Sequence, residues 1–396
     1  MNTHLNLLQP YPFERLRQLF ENVTPNPAFT NINLSIGEPK HATPQLIKNA
    51  LIDNINGLAI YPTTLGVLPL REAIANWATR RYTIPLLNPQ TEILPVIGSR
   101  EALFAIAQVV IDSIKTDPVV ICPNPFYQIY EGATLLAGAT PYFLNTTPEN
   151  GYAMDFHSVP LDVLNRTQLV YVCSPGNPSG KVMTLNQWRE IFELSDKYGF
   201  VIAADECYSE IYFNEIERPL GALQAAHLLG RGLSNLIVFG SLSKRSNVPG
   251  MRSGYALGDE KIIAKFLLYR TYHGSAMSPI VQMASIAAWN DEAHVIENRR
   301  LYAQKFQTVT PLLVDTFEVE MPDAAFYLWA KIKDNRVSDT DFALKLYRDL
   351  NITGLPGSLL ARQAHGINPG AGFIRLALVA SVDECVEAAN RIQQFI

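Results

Sequence analysis

The 396-residue sequence is poor in cysteine: only Cys122, Cys173, Cys207 and Cys385 occur, far apart and without a CxxC pair. This spacing predicts neither a disulfide framework nor a zinc site, so we expect the four thiols to be small buried apolar groups. The seven histidines likewise show no HxxxH or other ligand spacing. No bound metal is therefore expected.

An excess of positive charge and long apolar runs are also lacking. The formal net charge is -5, which gives no electrostatic reason to expect nucleic acid or an anionic membrane as a partner. No segment reaches the roughly 18 uninterrupted apolar residues of a membrane helix, and the N terminus has no basic stretch followed by an apolar run. We therefore expect a cytoplasmic protein whose partners are small molecules.

The middle of the chain alternates short apolar runs with longer amphipathic ones. This alternation is typical of an α/β domain in which helices flank a mostly parallel sheet. Strands are predicted at 93-97, 119-122, 168-173, 200-204, 236-240 and 253-257. Helices are predicted at 68-82, 100-114, 126-137, 185-198 and 260-270.

From about residue 279 the pattern changes. It predicts a long helical stretch at 279-315, strands at 325-332 and 373-379, and helices at 339-350 and 382-395. A chain of this length exceeds the usual size of a single core, so two domains are expected. We predict a large domain over 46-278 and a smaller α+β domain built from 1-45 and 279-396.

Ligands of such sheets bind beyond the carboxyl ends of the strands, so the polar residues that follow each strand are site candidates. Lys244 follows strand 236-240, together with Ser241, Ser243 and Arg252. Hydroxyls and a guanidinium suit a phosphate, and a lysine beside a bound cationic group can lose its proton and attack an aldehyde. Taken alone, the lysine could equally be a solvated surface residue.

Two further strand ends carry polar groups. Asp205 and Tyr208 follow strand 200-204, where the aspartate could keep a pyridine nitrogen protonated and so make the ring an electron sink, and the tyrosine could bind a phenolic oxygen. The alternative for Asp205 is a helix N-cap. Asn177 follows strand 168-173 in a stiff turn over 174-181, which lacks the glycine spacing and the hydroxyl of a nucleotide phosphate loop. Its amide could face a planar ligand.

The remaining candidates follow strands 93-97 and 119-122. Ser99, Arg100 and Glu101 open a helix, where free N–H groups and the helix dipole favour an anion, although Ser99 could be only an N-cap. Tyr127 could stack on a ring, although aromatic residues more often belong to the core. The five strand ends jointly supply an amine, an acid, an amide, phosphate donors and an aromatic face.

Over nearly its full length the sequence resembles the fold-type I, class I/II aminotransferases, which use pyridoxal 5'-phosphate. The segments that carry the resemblance are LSIGEP (34-39), YPTTLGVLPLR (61-71), NPSG (177-180), DECY (205-208), SLSK (241-244) and FIRL (373-376). It implies that Lys244 forms a Schiff base with the cofactor, that Asp205 meets the pyridine nitrogen, and that Tyr208 and Asn177 meet the phenolic oxygen. It further implies a phosphate site made by Ser99, Arg100, Ser241, Ser243 and Arg252.

The resemblance also assigns substrate contacts. Arg375 and the Gly37 backbone would bind the substrate α-carboxylate, with a structural ion pair as the alternative role of the arginine. Asn177 would contact the substrate as well as the cofactor. Tyr61 would reach the phosphate of the neighbouring subunit, which implies a homodimer with shared sites.

Within this family, the stretches 123-143, 241-254, 272-302 and 355-372 resemble the aminotransferases that act on N-succinyldiaminopimelate in bacterial lysine biosynthesis. Leu359 departs from the tyrosine expected in their PGSYLAR pattern. Such substrates carry a distal acidic group, and the candidates to bind it are Arg15, Arg17, Arg100 and Arg362. Other possible functions are amino transfer on acetylornithine or aspartate, or a carbon-sulfur lyase. A cofactor-sensing regulator is a further alternative, but it would need a DNA-binding domain. We expect the roughly 30 residues before the first motif to be too few for a winged helix.

Overall fold

The computed structural model describes residues 1–395. The helices are α1 (Pro12–Phe20), α2 (Gln45–Asp53), α3 (Leu68–Tyr82), α4 (Ser99–Val110), α5 (Ile129–Leu136), α6 (Leu161–Arg166), α7 (Leu185–Tyr198), α8 (Ala222–Leu228), α9 (Leu242–Arg245), α10 (Glu260–His273), α11 (Pro279–Asn290), α12 (Ala293–Leu313), α13 (Asp339–Leu350) and α14 (Val382–Phe395). Within this described range, no helix combines the length and the apolarity needed to cross a bilayer.

The strands are β1 (Ile32–Asn33), β2 (Ile93–Val96), β3 (Val119–Asn124), β4 (Thr140–Asn145), β5 (Thr167–Cys173), β6 (Val201–Asp205), β7 (Leu236–Ser241), β8 (Gly254–Gly258), β9 (Phe317–Glu318), β10 (Tyr327–Ile332), β11 (Ile352–Thr353), β12 (Leu355–Pro356) and β13 (Phe373–Ala377). Seven of them form a central sheet in the order β2-β8-β7-β6-β5-β3-β4. The pairs from β7 to β4 are parallel, and β8 runs antiparallel to both of its neighbours. The predicted α/β fold with a mostly parallel sheet is therefore confirmed.

Both faces of the central sheet are buried over its inner strands, which explains why these strands are mostly apolar. Successive residues of a strand point to opposite faces. In β5, Val170 and Val172 pack in one core with residues of α3, α7, α8 and α11, whereas Leu169 and Tyr171 pack in the other core with residues of α4, α5 and α10. Helices on both faces thus leave the carboxyl edge of the sheet as the place for a ligand.

A third core surrounds the four-stranded antiparallel sheet β12-β13-β10-β9 and takes in α12, α13 and α14. Strand β1 pairs in parallel with β11, which ties the N-terminal segment to this part of the molecule. The domain limits remain a prediction. Helix α11 packs Trp289 against Trp77 of α3, with ring centroids 4.7 Å apart, and this contact favours a limit between α11 and α12 rather than at 279.

Several elements differ from the sequence prediction. Strand β4 was missed because its apolar run covers only Tyr142 to Leu144, directly after Pro141, and only Leu144 is buried. Helices α1, α2 and α8 were missed as well, being only seven to nine residues long. The predicted stretch 279-315 is two helices, because Asp291 accepts a hydrogen bond from the His294 N–H at 3.0 Å and so starts a new helix.

The buried carboxyl group of Glu206 lies next to the carboxyl end of β6. It accepts hydrogen bonds from the Tyr82 hydroxyl at 2.5 Å and from the Ala222 N–H at 2.6 Å. Burial raises the pKa of Glu206 to about 7, although both hydrogen bonds act in the opposite direction. The folded protein therefore holds this proton to a higher pH than the unfolded chain does.

We expect the melting temperature of Glu206→Gln to exceed that of the wild type by a larger margin at pH 8 than at pH 5.5. The stabilisation by protonated Glu206 is complete below the pKa of glutamate in the unfolded chain, about 4.3, and is lost as the pH rises through 7. Over this range the free energy of unfolding falls by up to about 1.4 kcal/mol per pH unit. Thermal unfolding at both pH values measures the effect. Glu72→Gln, at an exposed position of α3, is the control, and a melting-temperature difference that does not change with pH would contradict the prediction.

Candidate active site

Most of the predicted site residues meet in one cleft of about 480 Å³. It lies at the carboxyl edge of the central sheet, where β6 and β7 end and where the segments after β2 and β5 begin. The predicted residues that line it are Gly37, Ser99, Arg100, Tyr127, Asn177, Asp205, Tyr208, Ser243, Lys244, Arg252 and Arg375. Residues that follow separate strands in the sequence therefore lie together at one place in the structure.

Three predicted residues do not line the cleft. The Glu101 carboxylate pairs with Arg270 at 3.1 Å, which leaves only its backbone N–H in the first turn of α4 for the predicted role. Ser241 is buried at the end of β7, and its hydroxyl has no hydrogen-bond partner within residues 1–395. Tyr61 is 99% exposed, and its contact with a neighbouring subunit stays a prediction.

Asp205 ends β6 and is almost fully buried. Its Oδ2 accepts a hydrogen bond from the Tyr130 hydroxyl at 2.7 Å, and its Oδ1 accepts one from the Cys207 N–H at 3.2 Å. Burial, with the Asp205 charge as the next cause, raises the pKa of Tyr130 well above its usual value, so this hydroxyl stays a donor. Tyr130 was missed because, in the sequence, it looks like one more apolar residue of a helix.

We expect Tyr130→Phe to lower kcat/KM about tenfold, because a hydrogen bond to a charged group contributes about 1.5 kcal/mol or more. Steady-state kinetics checks this. Tyr171→Phe is a matched control, since that buried hydroxyl donates to the Leu103 carbonyl at 2.7 Å and its ring stacks on Tyr130. Equal losses in the two variants would contradict a specific role for the Tyr130 hydroxyl.

Lys244 lies on α9, a single helical turn directly after β7. Its Nζ is 5.8 Å from the centroid of the Tyr208 ring. The Tyr208 hydroxyl is hydrogen-bonded to the Tyr327 hydroxyl at 2.9 Å, and burial raises the pKa of Tyr208 well above its usual value. The cleft thus holds an amine beside a protonated phenol, and Tyr327 is a lining residue that the sequence did not reveal.

Arg375 of β13 is buried without a carboxylate partner in the described chain. Its Nη1 donates to Asn177 Oδ1 at 2.9 Å, its Nη2 donates to the Ser35 carbonyl at 2.7 Å, and its Nε has no partner within residues 1–395. The guanidinium carbon lies 4.3 Å from the centroid of the Tyr327 ring. A structural ion pair is therefore ruled out within these residues, and a buried cation of this kind favours binding of an anion.

The start of α4 forms a cradle of hydrogen-bond donors. A Cβ on Gly98, whose φ is +87°, would lie only 2.3 Å from Arg252 Nη2, so only glycine lets that guanidinium approach the backbone this closely. Ser99 opens the helix, and its Oγ accepts a hydrogen bond from Cys207 Sγ at 2.8 Å. Free N–H groups at a helix start beside a guanidinium and the Ser243 hydroxyl suit a phosphate.

Cys207 lines the cleft, which the sequence did not predict. Burial, followed by the Asp205 charge, raises the pKa of its thiol well above the usual value, so the group is neutral. Cys122 and Cys385 are buried and Cys173 is half-buried. All four are unpaired thiols, and the predicted burial is found for three of them but only in part for Cys173.

These groups fit a pyridine aldehyde that carries a phosphate. Lys244 offers an amine for the aldehyde, Asp205 a buried carboxylate for the ring nitrogen, and the start of α4 a phosphate cradle. The close approach of Arg252 to the backbone at Gly98, which a Cβ there would prevent, brings these phosphate donors together. Nothing in the arrangement opposes the expected cofactor.

Comparison with known proteins agrees with this geometry. Residues 30–392 match the family described as aminotransferase class I and II. An LL-diaminopimelate aminotransferase of Aquifex aeolicus is 31% identical over 98% of this chain and 97% of its own length. A solved aminotransferase structure from Neisseria meningitidis Z2491 has 52% identity and a TM-score of 0.96, covering 100% of this chain and 99% of that one.

The aminotransferase AspB of Helicobacter pylori 26695 superposes with a TM-score of 0.88 at 34% identity, covering 98% of each chain. Members of the family use pyridoxal 5'-phosphate, which confirms the cofactor expected from the sequence. Matched over nearly its whole length, and with a cleft that fits this cofactor, the chain belongs to the class I and II aminotransferases.

Proposed function

We propose that the enzyme exchanges an amino group between glutamate and N-succinyl-2-amino-6-oxopimelate, forming 2-oxoglutarate and N-succinyl-LL-2,6-diaminopimelate, or the reverse. This reaction belongs to cytoplasmic lysine and diaminopimelate biosynthesis. The observation that carries the proposal is that, besides Arg252 at the phosphate cradle, two further guanidinium groups line the same cleft, those of Arg375 and Arg100. Substrates with two acidic ends need a cationic partner for each.

Of the four arginines that could bind the distal acidic group, Arg100 is favoured. Arg362 is held by Glu131 through two hydrogen bonds of 2.6 and 2.9 Å, and Arg17 pairs with Glu14 on the exposed face of α1. Arg15 does not line the cleft. Arg100 uses Nε for a hydrogen bond of 2.7 Å to the Tyr127 hydroxyl, and no bond within residues 1–395 engages its Nη atoms.

The size and lining of the cleft also support a long acylated substrate. Tyr11, Phe13, Ile36 and Leu360 line the same cleft as Arg100 and add apolar surface that suits methylene and acyl groups. The relatives named LL-diaminopimelate aminotransferase support a substrate with the diaminopimelate carbon skeleton, although their name does not include the acyl group. Leu359 is buried, so the residue that departs from the expected PGSYLAR pattern packs in the protein interior.

The residues of the cleft have separate roles in the reaction. Arg375, with Asn177 and the Gly37 backbone, orients the substrate by its α-carboxylate. Lys244 is the base that takes the proton from the substrate Cα. When bound, pyridoxal phosphate supplies the electron sink that stabilises the resulting carbanion.

The surrounding residues keep this arrangement in the required protonation state. Asp205 holds the proton on the ring nitrogen, because a buried negative charge favours the protonated form of a neighbouring base. Tyr130 holds Asp205 in place through its hydrogen bond of 2.7 Å. Tyr208, kept protonated by burial, donates to the phenolic oxygen.

We further propose a homodimer in which each subunit contributes Tyr61 to the neighbouring site. Tyr61 is fully exposed, and the segment before it also exposes Leu58 and Ile60 at 74% and 64%. An apolar surface of this kind is typical of an interface. Light scattering of the purified protein tests the proposal, and a monomeric mass at full activity would contradict it.

A panel of purified substrates tests the proposed reaction. The proposal predicts that glutamate-dependent amino transfer has its highest kcat/KM with the N-succinylated oxo acid. A higher value with the non-acylated diaminopimelate pair would instead support the activity named for the curated relatives, and a higher value with acetylornithine or aspartate would contradict both. Pyruvate release from cystathionine without amino transfer would identify a carbon-sulfur lyase.

A further inference from the structure

Asn298 of α12 lies against the main chain of the lysine on α9. Its Nδ2 donates to the Lys244 carbonyl at 3.1 Å and to the Arg245 carbonyl at 3.4 Å. Because α9 is only one turn long, the carbonyls of its last residues have no partner within the helix. A side chain from another helix therefore satisfies the backbone of Lys244.

Asn298 is itself held by two residues. Its Oδ1 accepts from Asn247 Nδ2 at 3.0 Å and is 2.7 Å from His41 Nδ1. His41 Nε2 is 2.7 Å from Lys305 Nζ. Because an ammonium group only donates, Nε2 must accept, and Nδ1 must carry the ring hydrogen and donate to Asn298. The hydrogen bonds therefore run in one direction, from Lys305 through His41 and Asn298 to Lys244.

The protonation states of Lys305 and His41 agree with this direction of hydrogen-bond donation. Burial lowers the pKa of Lys305 to about 8, and burial followed by the Lys305 charge lowers the pKa of His41 below its usual value. At pH 7 the amine is thus mostly protonated and the imidazole neutral. The other ionisable groups acting on the pair are Lys40, Glu297, Glu384 and Cys385.

The same residues connect Lys244 to the carboxylate anchor, by which we mean Arg375 with Asn177 and the Gly37 backbone. His41 lies shortly after Ser35, whose carbonyl binds Arg375, and after Gly37, which lines the cleft. Lys305 Nζ also donates to the Val379 carbonyl at 3.4 Å, just beyond the strand that carries Arg375. Neither Asn298 nor His41 lines the cleft.

We propose that Asn298 and His41 are positioning residues that fix the main chain of Lys244 relative to the carboxylate anchor. They align Nζ with the substrate Cα without touching the substrate. This inference rests on the proposed role of Lys244 as the base. Because the carboxylate anchor stays intact, loss of either residue should act on kcat rather than on KM.

In the holoenzyme, we expect Asn298→Ala to lower kcat about tenfold or more and to change KM less than about threefold, since small misplacements of a reacting group are costly. The pH at which the absorbance band of the bound cofactor titrates should also shift, by about half a unit or more, because Lys244 Nζ then lies differently relative to nearby charges. Gln304→Ala, at an exposed position of the same helix, is the control and should change neither quantity.

His41 provides an independent arm of the test. His41→Ala should reproduce the kcat loss, whereas His41→Gln should restore most of it, because an amide can accept from Lys305 and donate to Asn298. The double variant Asn298→Ala/His41→Ala should lose about as much as Asn298→Ala alone, since the two residues act in series. If Asn298→Ala does not fold, the two His41 variants decide the question.

Unchanged kcat and an unchanged titration midpoint in Asn298→Ala would overturn the inference. So would a rise in KM at constant kcat, or equal activities of His41→Gln and His41→Ala. Failure of the proposed role of Lys244 gives a different result. Borohydride reduction, which makes the bond between a lysine and the cofactor permanent, would then leave no cofactor label on Lys244 of the wild-type holoenzyme. Failure of the positioning role leaves that label in place and the kinetics of the variants normal.

Discussion

Lys244→Ala is expected to abolish amino transfer, with kcat reduced at least about 10⁴-fold. The substitution removes both the group that bonds to the cofactor aldehyde and the base for the substrate Cα, and a positioned base alone contributes about 10² to 10⁴. The variant should also lose the absorbance band of the lysine-bound cofactor. Stopped-flow and steady-state measurements with glutamate and 2-oxo acids check both effects.

Lys261→Ala is the matched control, because that lysine is exposed on α10. It should keep the band and the turnover of the wild type. A Lys244→Ala enzyme that still cycles within about tenfold of the wild-type rate would show that another group is the base.

Arg375→Lys should raise KM about 10- to 100-fold for the amino donor and for the 2-oxo acid alike. A planar guanidinium can bind a carboxylate through two parallel hydrogen bonds, whereas an ammonium group binds it as a single point charge. Each charge-assisted hydrogen bond contributes about 1.5 to 3 kcal/mol. Separate KM values for the two substrates measure the effect.

Both half-reactions use the same anchor, so the two KM values should rise together. An increase for only one substrate would contradict a shared carboxylate site. Arg348→Lys, at a position where the arginine pairs with Asp349 on the exposed face of α13, is the control and should leave both values unchanged.

The central sheet was predictable because its strands are buried on both faces. Runs such as 168-173 and 236-240 are almost entirely apolar and stand between amphipathic helices, and β5 and β7 lie where these runs predict them. Asp205 and Lys244 were predictable for a related reason, since the carboxyl ends of these strands meet at one edge. Strand β4 lacks this signal because its apolar run is only three residues long and only Leu144 is buried.

Residues that act through long-range contacts were not predictable. Tyr130 meets Asp205 across 75 positions of the chain, and Asn298 meets Lys244 across 54. Neither forms a motif with its partner, and each lies in an ordinary helical pattern. Arg362 shows the converse case, because its pairing with Glu131 across 231 positions removes a binding candidate that charge alone suggested.

The central claim is that Lys244 holds the cofactor in the cleft, and one measurement tests it directly. Borohydride reduction of the holoenzyme, followed by digestion and mass spectrometry, makes the bond between a lysine and pyridoxal phosphate permanent and locates it. We predict a phosphopyridoxyl label on the peptide that contains Lys244, and loss of the label when an amino donor is added first. A label on another lysine, or none at all, would contradict the claim.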